Sequence, residues 1–455
     1  MAGPTLTVST PLGPGAVSIT SLTAQEEIST PFDFSLELGI ANGQAGVFDK
    51  LLNQTITVTL SDPNAGTRFF TGICTQLTEA AQTPTGITFL ADVTPFFWSQ
   101  ARNRNSRIFQ NISVPDILKR VFPNNTRFAL ANTYPVRNYC VQYRESDFAF
   151  ASRLMEEEGI YYYFEHTASK HTMVLADRSS GAVLAPGPTT VPFGQPAPGV
   201  VYTWLKAQQL TAGRATVSDF NFQIPTTNLL RSKNISTPVQ VGAVSHDLNI
   251  GNNGLEQFDF PGGFAKWFDS NAAQNAPAQA ARLATLRMQE VAAGAVLING
   301  GSGCPGFTPG YKITLTGHPD GNGDYLLRQA SHTATQSPGS PVQYSNTFTC
   351  IPITLPFRPN RLTPRPTIPG LQSAFVVGPA GQPTYSDKYG RVKVQFFWDR
   401  VGKSDANSSC WVRVAAMLPG DVTIPPIGRE VLVAFEEGDP DRPIIVGSAH
   451  SPGFP

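Results

Sequence analysis

The chain has 455 residues, with 33 Lys plus Arg against 33 Asp plus Glu and a formal net charge of zero. No net positive field therefore draws it onto phosphates, and no basic run of nucleic-acid type is present. The length exceeds one ordinary core, and 40 Gly with 39 Pro favour short strands and tight turns over a helical bundle, so three or four mainly β domains are expected.

The opening run MAGPTLTVST has no basic segment followed by an apolar one. No uninterrupted apolar stretch approaches the ~20 residues that span a bilayer. A chain without a signal peptide or stable membrane insertion, made and kept in the cytoplasm, is expected. Residues 1–98 alternate apolar and polar positions, as where Ile56, Val58 and Leu60 share one face, and predict a first β-barrel. Over 99–200 helical signals enter. Ser113 with Asp116 forms a capping box, Ile117, Leu118, Val121 and Phe122 supply a buried stripe, and Pro123 ends the helix.

The segment Cys140–His166 joins a strand, a capped helix and an aromatic strand with almost no linker. Ser146 or Asp147 caps the helix, which Phe148, Phe150, Ala151, Leu154 and Met155 make apolar on one face and Gly159 ends in a left-handed conformation. Beyond it, Ile160, Tyr162 and Phe164 face one way and Tyr161, Tyr163 and Glu165 the other, predicting a strand covered on both sides. Glu156, Glu157 and Glu158 crowd the helix C-terminus, where the macrodipole repels them. They read as a solvated acidic end, with basic residues of a neighbouring subunit as the alternative.

Residues 201–365 return to strands, including Lys312–Thr316 and its hairpin partner Tyr325–Arg328, around one helix at about Pro277–Ala293. A proline-rich connector from Leu355 through Pro369 reads as extended and semi-rigid. Over 372–455, Val392, Val394, Phe396 and Trp398 line one face of a strand with Arg391, Lys393 and Gln395 opposite. Val431, Val433 and Phe435 repeat the pattern after Gly428, which fits a small closed barrel.

Several motifs, in order, carry a resemblance. They are Thr94–Trp98, Ser106–Gln110, Val114–Leu118, Phe258–Gly262 and, in the central segment, Tyr143, Arg144, Glu145, Ser146, Asp147, Phe148, Gly159, Tyr161, Tyr162 and Phe164. Toward the end come Asp387, Tyr389, Gly390 and Arg391, then Trp411 and Val412, then Gly438, Asp439, Pro440, Asp441, Arg442 and Pro443. Together they resemble VgrG proteins, the valine-glycine repeat spike proteins of type VI secretion, themselves similar to contractile phage tail hubs and spikes.

The resemblance implies two related hub β-barrels with the α+β part between them and an OB-fold module at the spike base. It also implies a homotrimer whose six barrels cap the hexameric Hcp tube, with baseplate proteins around it and a PAAR tip protein and effectors at the needle end. Family members leave the cell by being fired through the injection machine. Their C-terminal β-helix needle is absent from this sequence, which ends at Ser451–Pro455, and that absence speaks against tip binding.

No catalytic, cofactor-binding or metal site is expected. The Gly301–Gly306 GxGxxG reads as a loop, because no helix follows it to hold a pyrophosphate. Asp320–Asp324 reads as a hairpin turn, with Tyr325 where a calcium loop needs glycine. The 6 histidines lack HExxH spacing, no GxSxG is present, and the 5 cysteines, lacking any CxxC, read as buried reduced thiols. The leading expectation is a non-enzymatic structural hub. Alternatives are the hub of an extracellular contractile particle or phage tail, a spike-borne peptidoglycan hydrolase, and a glycan-binding β protein.

Overall fold

The computed structural model describes every residue except 1–3, 83, 85, 267–271, 338, 417–422 and 451–455. The terminal run Ser451–Pro455 therefore lies outside the described residues. The alternating pattern at the start of the chain folds into six strands, with neighbours in the order Thr5–Ser9, Thr55–Asp62, Gly66–Gln82, Gly86–Thr94, Thr30–Ala41, Val17–Glu27. A short helix, α1 (Val47–Leu51), joins two of them. Ile56, Val58 and Leu60 point into the core as expected. Thr57, on the other face, is buried too, because its hydroxyl meets Thr71, which donates to the Thr167 carbonyl at 2.6 Å.

A second set of six strands runs Val191–Pro192, Lys312–Thr316, Gly323–Thr335, Gln343–Pro352, Val296–Ser302, Val201–Gln208, and a bridge from Phe193 to Val201 brings its ends together. The strand Gly323–Thr335 changes neighbours along its length. Leu326 and Tyr325 pair with Lys312 and Ile313, while Gln329–Thr335 pairs with Ser21–Glu27 of the first set. The two barrels are thereby fused through one twelve-stranded sheet. Gly301 and Ser302 belong to the end of a strand, so only Gly303 onward is the loop expected there.

Between the barrels lies the α+β part. Helix α2 (Val114–Val121) starts at Ser113, whose Oγ accepts from the Asp116 N–H. Helix α3 (Asp147–Glu158) leads into the hairpin Tyr161–His166 and His171–Ala176, which extends onto Thr126–Ala129. Tyr162 and Phe164 enter the first barrel's core, whereas Tyr161 and Tyr163 pack with Leu326 and Ile351 of the second and with Phe357 of the connector. This strand is covered on both sides.

Helix α4 spans Ala272–Ala292 and contains Pro277, so it begins five residues before the expected start. The proline removes one bond near the N-terminus, a cost that the alanine-rich first turns tolerate. The helix covers a small sheet of Arg231–Asn234, Arg214–Val217 and Glu256–Asp259.

In the last module, Lys393–Phe396, Gln372–Val377, Glu430–Phe435, Pro443–Ser448 and Arg413–Val414 form a five-stranded sheet. The Val392–Val412 bridge closes it. Tyr139 and Val141 of the α+β part join its core. Two details differ from expectation. Arg391 is buried, held by Asp387 at 2.7 Å, and Trp398 lies beyond the strand, stacked on Phe396 with its indole N–H on the Gln372 amide.

Candidate functional site: a buried ionic junction

Helix α3 is capped by Ser146, whose Oγ accepts from the Ala149 N–H at 3.0 Å, and stops at Gly159 with φ of 70°. A Cβ there would come within 3.0 Å of Arg358 and Leu286. The three glutamates before Gly159 are not a solvated end, nor do they await another subunit's cations. Arg137, itself buried, reaches Glu158 at 2.6 Å and Glu157 at 3.0 Å. Arg282 from α4 meets Glu158 at 2.9 Å, and Arg365 from the connector meets Glu157 at 3.1 Å. Glu156 accepts from the Thr363 N–H and hydroxyl. The repulsion expected from the helix dipole is overridden by cations from three other segments. Burial pushes Glu157 and Glu158 upward, but Arg365 and Arg137 hold Glu157 well below the usual carboxylate range, and Arg137 and Arg282 hold Glu158 below it. Burial dominates at Glu145 and raises it even though Arg153 grips it at 2.7 Å.

The final module reaches the same place. Gly438, with φ of 73°, lies so close to Thr367 that a Cβ would sit 2.4 Å from its methyl. The turn it opens aims Asp439 and Asp441 at Lys266, at 3.3 and 2.5 Å. Asp441 also accepts the Val141 N–H at 2.7 Å, and Arg442 pairs with buried Asp219 at 2.7 Å. Burial pulls the Lys266 ammonium down, but Asp439 and Asp441 more than offset that and raise it. Pro440 and Pro443 flank these groups.

The connector is strapped down rather than spanning open space. Arg358 donates to the Gly159 and Asp177 carbonyls, and Arg361 bridges Asp259 and Glu290. The junction thus draws charges from the α+β part, the α4 region, the connector and the last barrel.

The remaining signature residues divide. Tyr143 accepts from the Gln372 amide across the same interface, and exposed Arg144, at φ of 50°, forms a bulge over it. Asp147 gathers Arg107, Gln142 and Asn103. Phe148 packs on Phe97, as does Tyr162, and Tyr161 meets Phe357 edge-on. Asp387, Tyr389, Gly390 and Arg391 form a turn elsewhere on the last barrel, near Phe222, with Trp411 against Tyr385 and Val412 in the barrel core.

Sequence reading missed a second buried centre at the barrel seam. Arg68 donates twice to Glu26, at 2.8 and 2.7 Å, and the His166 and His332 Nε2 atoms lie 3.2 and 3.6 Å from the same carboxylate. His166 Nδ1 lies 3.2 Å from the Thr71 N–H and 3.0 Å from the Thr71 carbonyl, which holds the ring so that Nε2 faces Glu26. Burial holds both imidazoles below their ordinary value. A signal existed, because Glu26 follows Leu22 and Ala24 on the inward register and His166 follows Tyr162 and Phe164.

Among the described residues no group of three His, Cys, Asp or Glu side chains could hold a metal ion, and no helix is long and apolar enough to cross a membrane. The five cysteines are free and buried, and burial pushes the Cys140 thiol up to about 12.

Residues 25–338 match the phage tail baseplate hub (GPD) family, and residues 381–450 match the type VI secretion system/phage-baseplate injector OB domain. The type VI secretion system spike protein VgrG1c of Pseudomonas aeruginosa is 34% identical over 98% of this chain and 61% of its own length. VgrG1a of the same organism is 35% identical over 98% of this chain and 69% of its own length. This chain thus spans about two thirds of these relatives or less. Among solved structures, the E. coli c3393 protein, a component of the type VI secretion system similar to bacteriophage tail proteins, superimposes with a TM-score of 0.69. It does so at 20% identity over 97% of this chain and 99% of that one, a likeness of fold.

Proposed function

The chain belongs to the VgrG family of type VI secretion spike proteins, and we propose that it acts as the non-enzymatic hub and OB base of a spike, working as a homotrimer. The observation that carries this reading is the fusion of two six-stranded barrels through the pairing of Ser21–Glu27 with Gln329–Thr335. Three such chains present six similar barrels around one axis, which suits the end of a tube built from hexameric rings. The buried junction then fixes the last barrel against the hub, so that thrust passes between them without a flexible hinge.

In this reading the units are 1–98, 99–200, 201–365 and 372–455. The partners are the Hcp tube at the hub end and the baseplate around it, with a PAAR tip and effectors beyond the OB base. The protein is made in the cytoplasm and exported by the injection machine. Purified chain mixed with Hcp rings should cap stacked rings at one end in electron micrographs. Trimers that leave the rings bare would refute tube capping. A turbidity assay on cell-wall sacculi tests the non-enzymatic part, and clearing would overturn it.

A further inference from the structure

A cleft of about 640 Å³ opens between the last barrel and the hub and shares no lining residue with the ionic junction's own cavity. Such a volume falls within the range of about 300–1,000 Å³ common for binding sites. Its walls come from separate parts of the chain: Gln110 and Asn138 from the α+β part, Gln223 from the α4 region, and Lys388, Arg391 and Lys393 from the last barrel. Of the thirteen residues lining it, three are cationic, five are carboxamides and none is acidic. This imbalance is local, because the whole chain is neutral.

The cations stand on aromatic rings. The Lys388 ammonium lies 5.0 Å from the Tyr389 ring centre, the Lys393 ammonium 5.0 Å from Trp411, and the Arg391 guanidinium 5.3 Å from Tyr389. Arg391 is held by Asp387 and Lys393 by the Ser409 carbonyl, so both charges are fixed in place, whereas Lys388 is exposed. Two of the carboxamides, Asn138 and Gln223, have buried side-chain oxygens that meet no donor among the described residues. A buried amide left so is costly unless something brings it a hydrogen bond.

We propose that this cleft is a docking groove for an acidic peptide segment of a partner protein, with Lys388 and Lys393 taking its carboxylates, Arg391 being already paired with Asp387, and the carboxamides its backbone. An extended peptide offers both N–H and C=O groups, the pair of functions that a carboxamide meets. A phosphate polymer suits the site less well, since the neutral chain supplies no long-range attraction and the cleft offers only two lysines that are not ion-paired within its wall. The assignment does not depend on the hub reading.

The test is fluorescence anisotropy of the full chain with a fluorescein-labelled deca-glutamate, a neutral Gly/Ser decamer and an oligothymidylate decamer. Deca-glutamate should bind and weaken with salt, the neutral peptide should not bind, and Lys388→Glu or Gln223→Leu should each weaken binding about fivefold or more. Lys50→Glu, at an exposed position of α1 far along the chain, should leave it unchanged. Absence of deca-glutamate binding, indifference to both cleft substitutions, or equal binding of oligothymidylate would overturn the assignment.

Discussion

Replacing Lys266 with methionine tests whether the ionic junction holds the last barrel to the hub. The Lys266 ammonium is 4% exposed and neutralises Asp441, 3% exposed, at 2.5 Å. After the substitution Asp441 keeps the Val141 N–H but loses its cation in contact, while Asp439 keeps the Asp441 N–H at 2.9 Å and the more distant Arg442 at 3.9 Å. Stranding one partner of a buried ion pair costs about 3–5 kcal/mol. A neighbouring cavity of about 190 Å³, lined by Arg153, Lys266 and Asp439, admits solvent to the site and favours the lower end. At ~1.4 kcal/mol per decade, about 3 kcal/mol raises the open population roughly a hundredfold. Hydrogen exchange read by mass spectrometry should show faster exchange at Cys140–Ser146 and Pro443–Ser448, with Thr55–Asp62 unchanged. Adding Asp441→Asn should recover much of the protection by removing the stranded charge. Unchanged exchange at both segments, or no recovery in the double variant, would refute the reasoning.

Three further outcomes follow from the same geometry. Gly159→Ala should cost about 1–2 kcal/mol in chemical denaturation, because a left-handed non-glycine residue is strained and its Cβ meets Arg358 and Leu286 at 3.0 Å; a loss below measurement error would contradict this. Tyr161→Asp should abolish soluble folded protein, since Tyr161 is 1% exposed within its own chain; a folded monomer would place that ring at an interface instead. Melting temperature should fall as pH drops from 7.5 to 5.5 and again to 4. His166, His332 and His171, the last lowered to about 3, resist protonation below their ordinary 6.5, while Glu26, Glu157 and Glu158 are lowered from 4.5. The unfolded chain therefore takes up protons first, so this stability is present above pH 6.5 and is lost on acidification. Glu145 and Glu156, raised by burial, act in the opposite sense. A higher melting temperature at pH 5.5 than at 7.5 would contradict the balance.

Local features were legible because their causes are local. The Ser113 and Ser146 caps, the Gly159 stop and the two-faced strand Tyr161–His166 each follow from a few adjacent residues. The alternation of Val431, Val433 and Phe435 likewise fixed their inward face. What the sequence hid depends on partners far along the chain. Glu157 and Glu158 read as solvated because their cations are Arg137, Arg282 and Arg365, which no periodicity brings together. Lys266 and Asp441 are 175 positions apart. The connector from Pro356 to Pro369 forms neither helix nor strand, and the arginines between its prolines anchor it to α3 and α4. The barrel seam was partly readable, since a glutamate and a histidine on core-facing registers signal a buried pair even when the partner is unknown.

The central proposal is a hub that assembles as a trimer, and solution mass by light scattering over a dilution series tests it most directly. The chain weighs 49.0 kDa, so a stable species near three times that, 147 kDa, is the predicted result. A persistent species at 49.0 kDa across the series would contradict self-assembly through the hub and OB base alone.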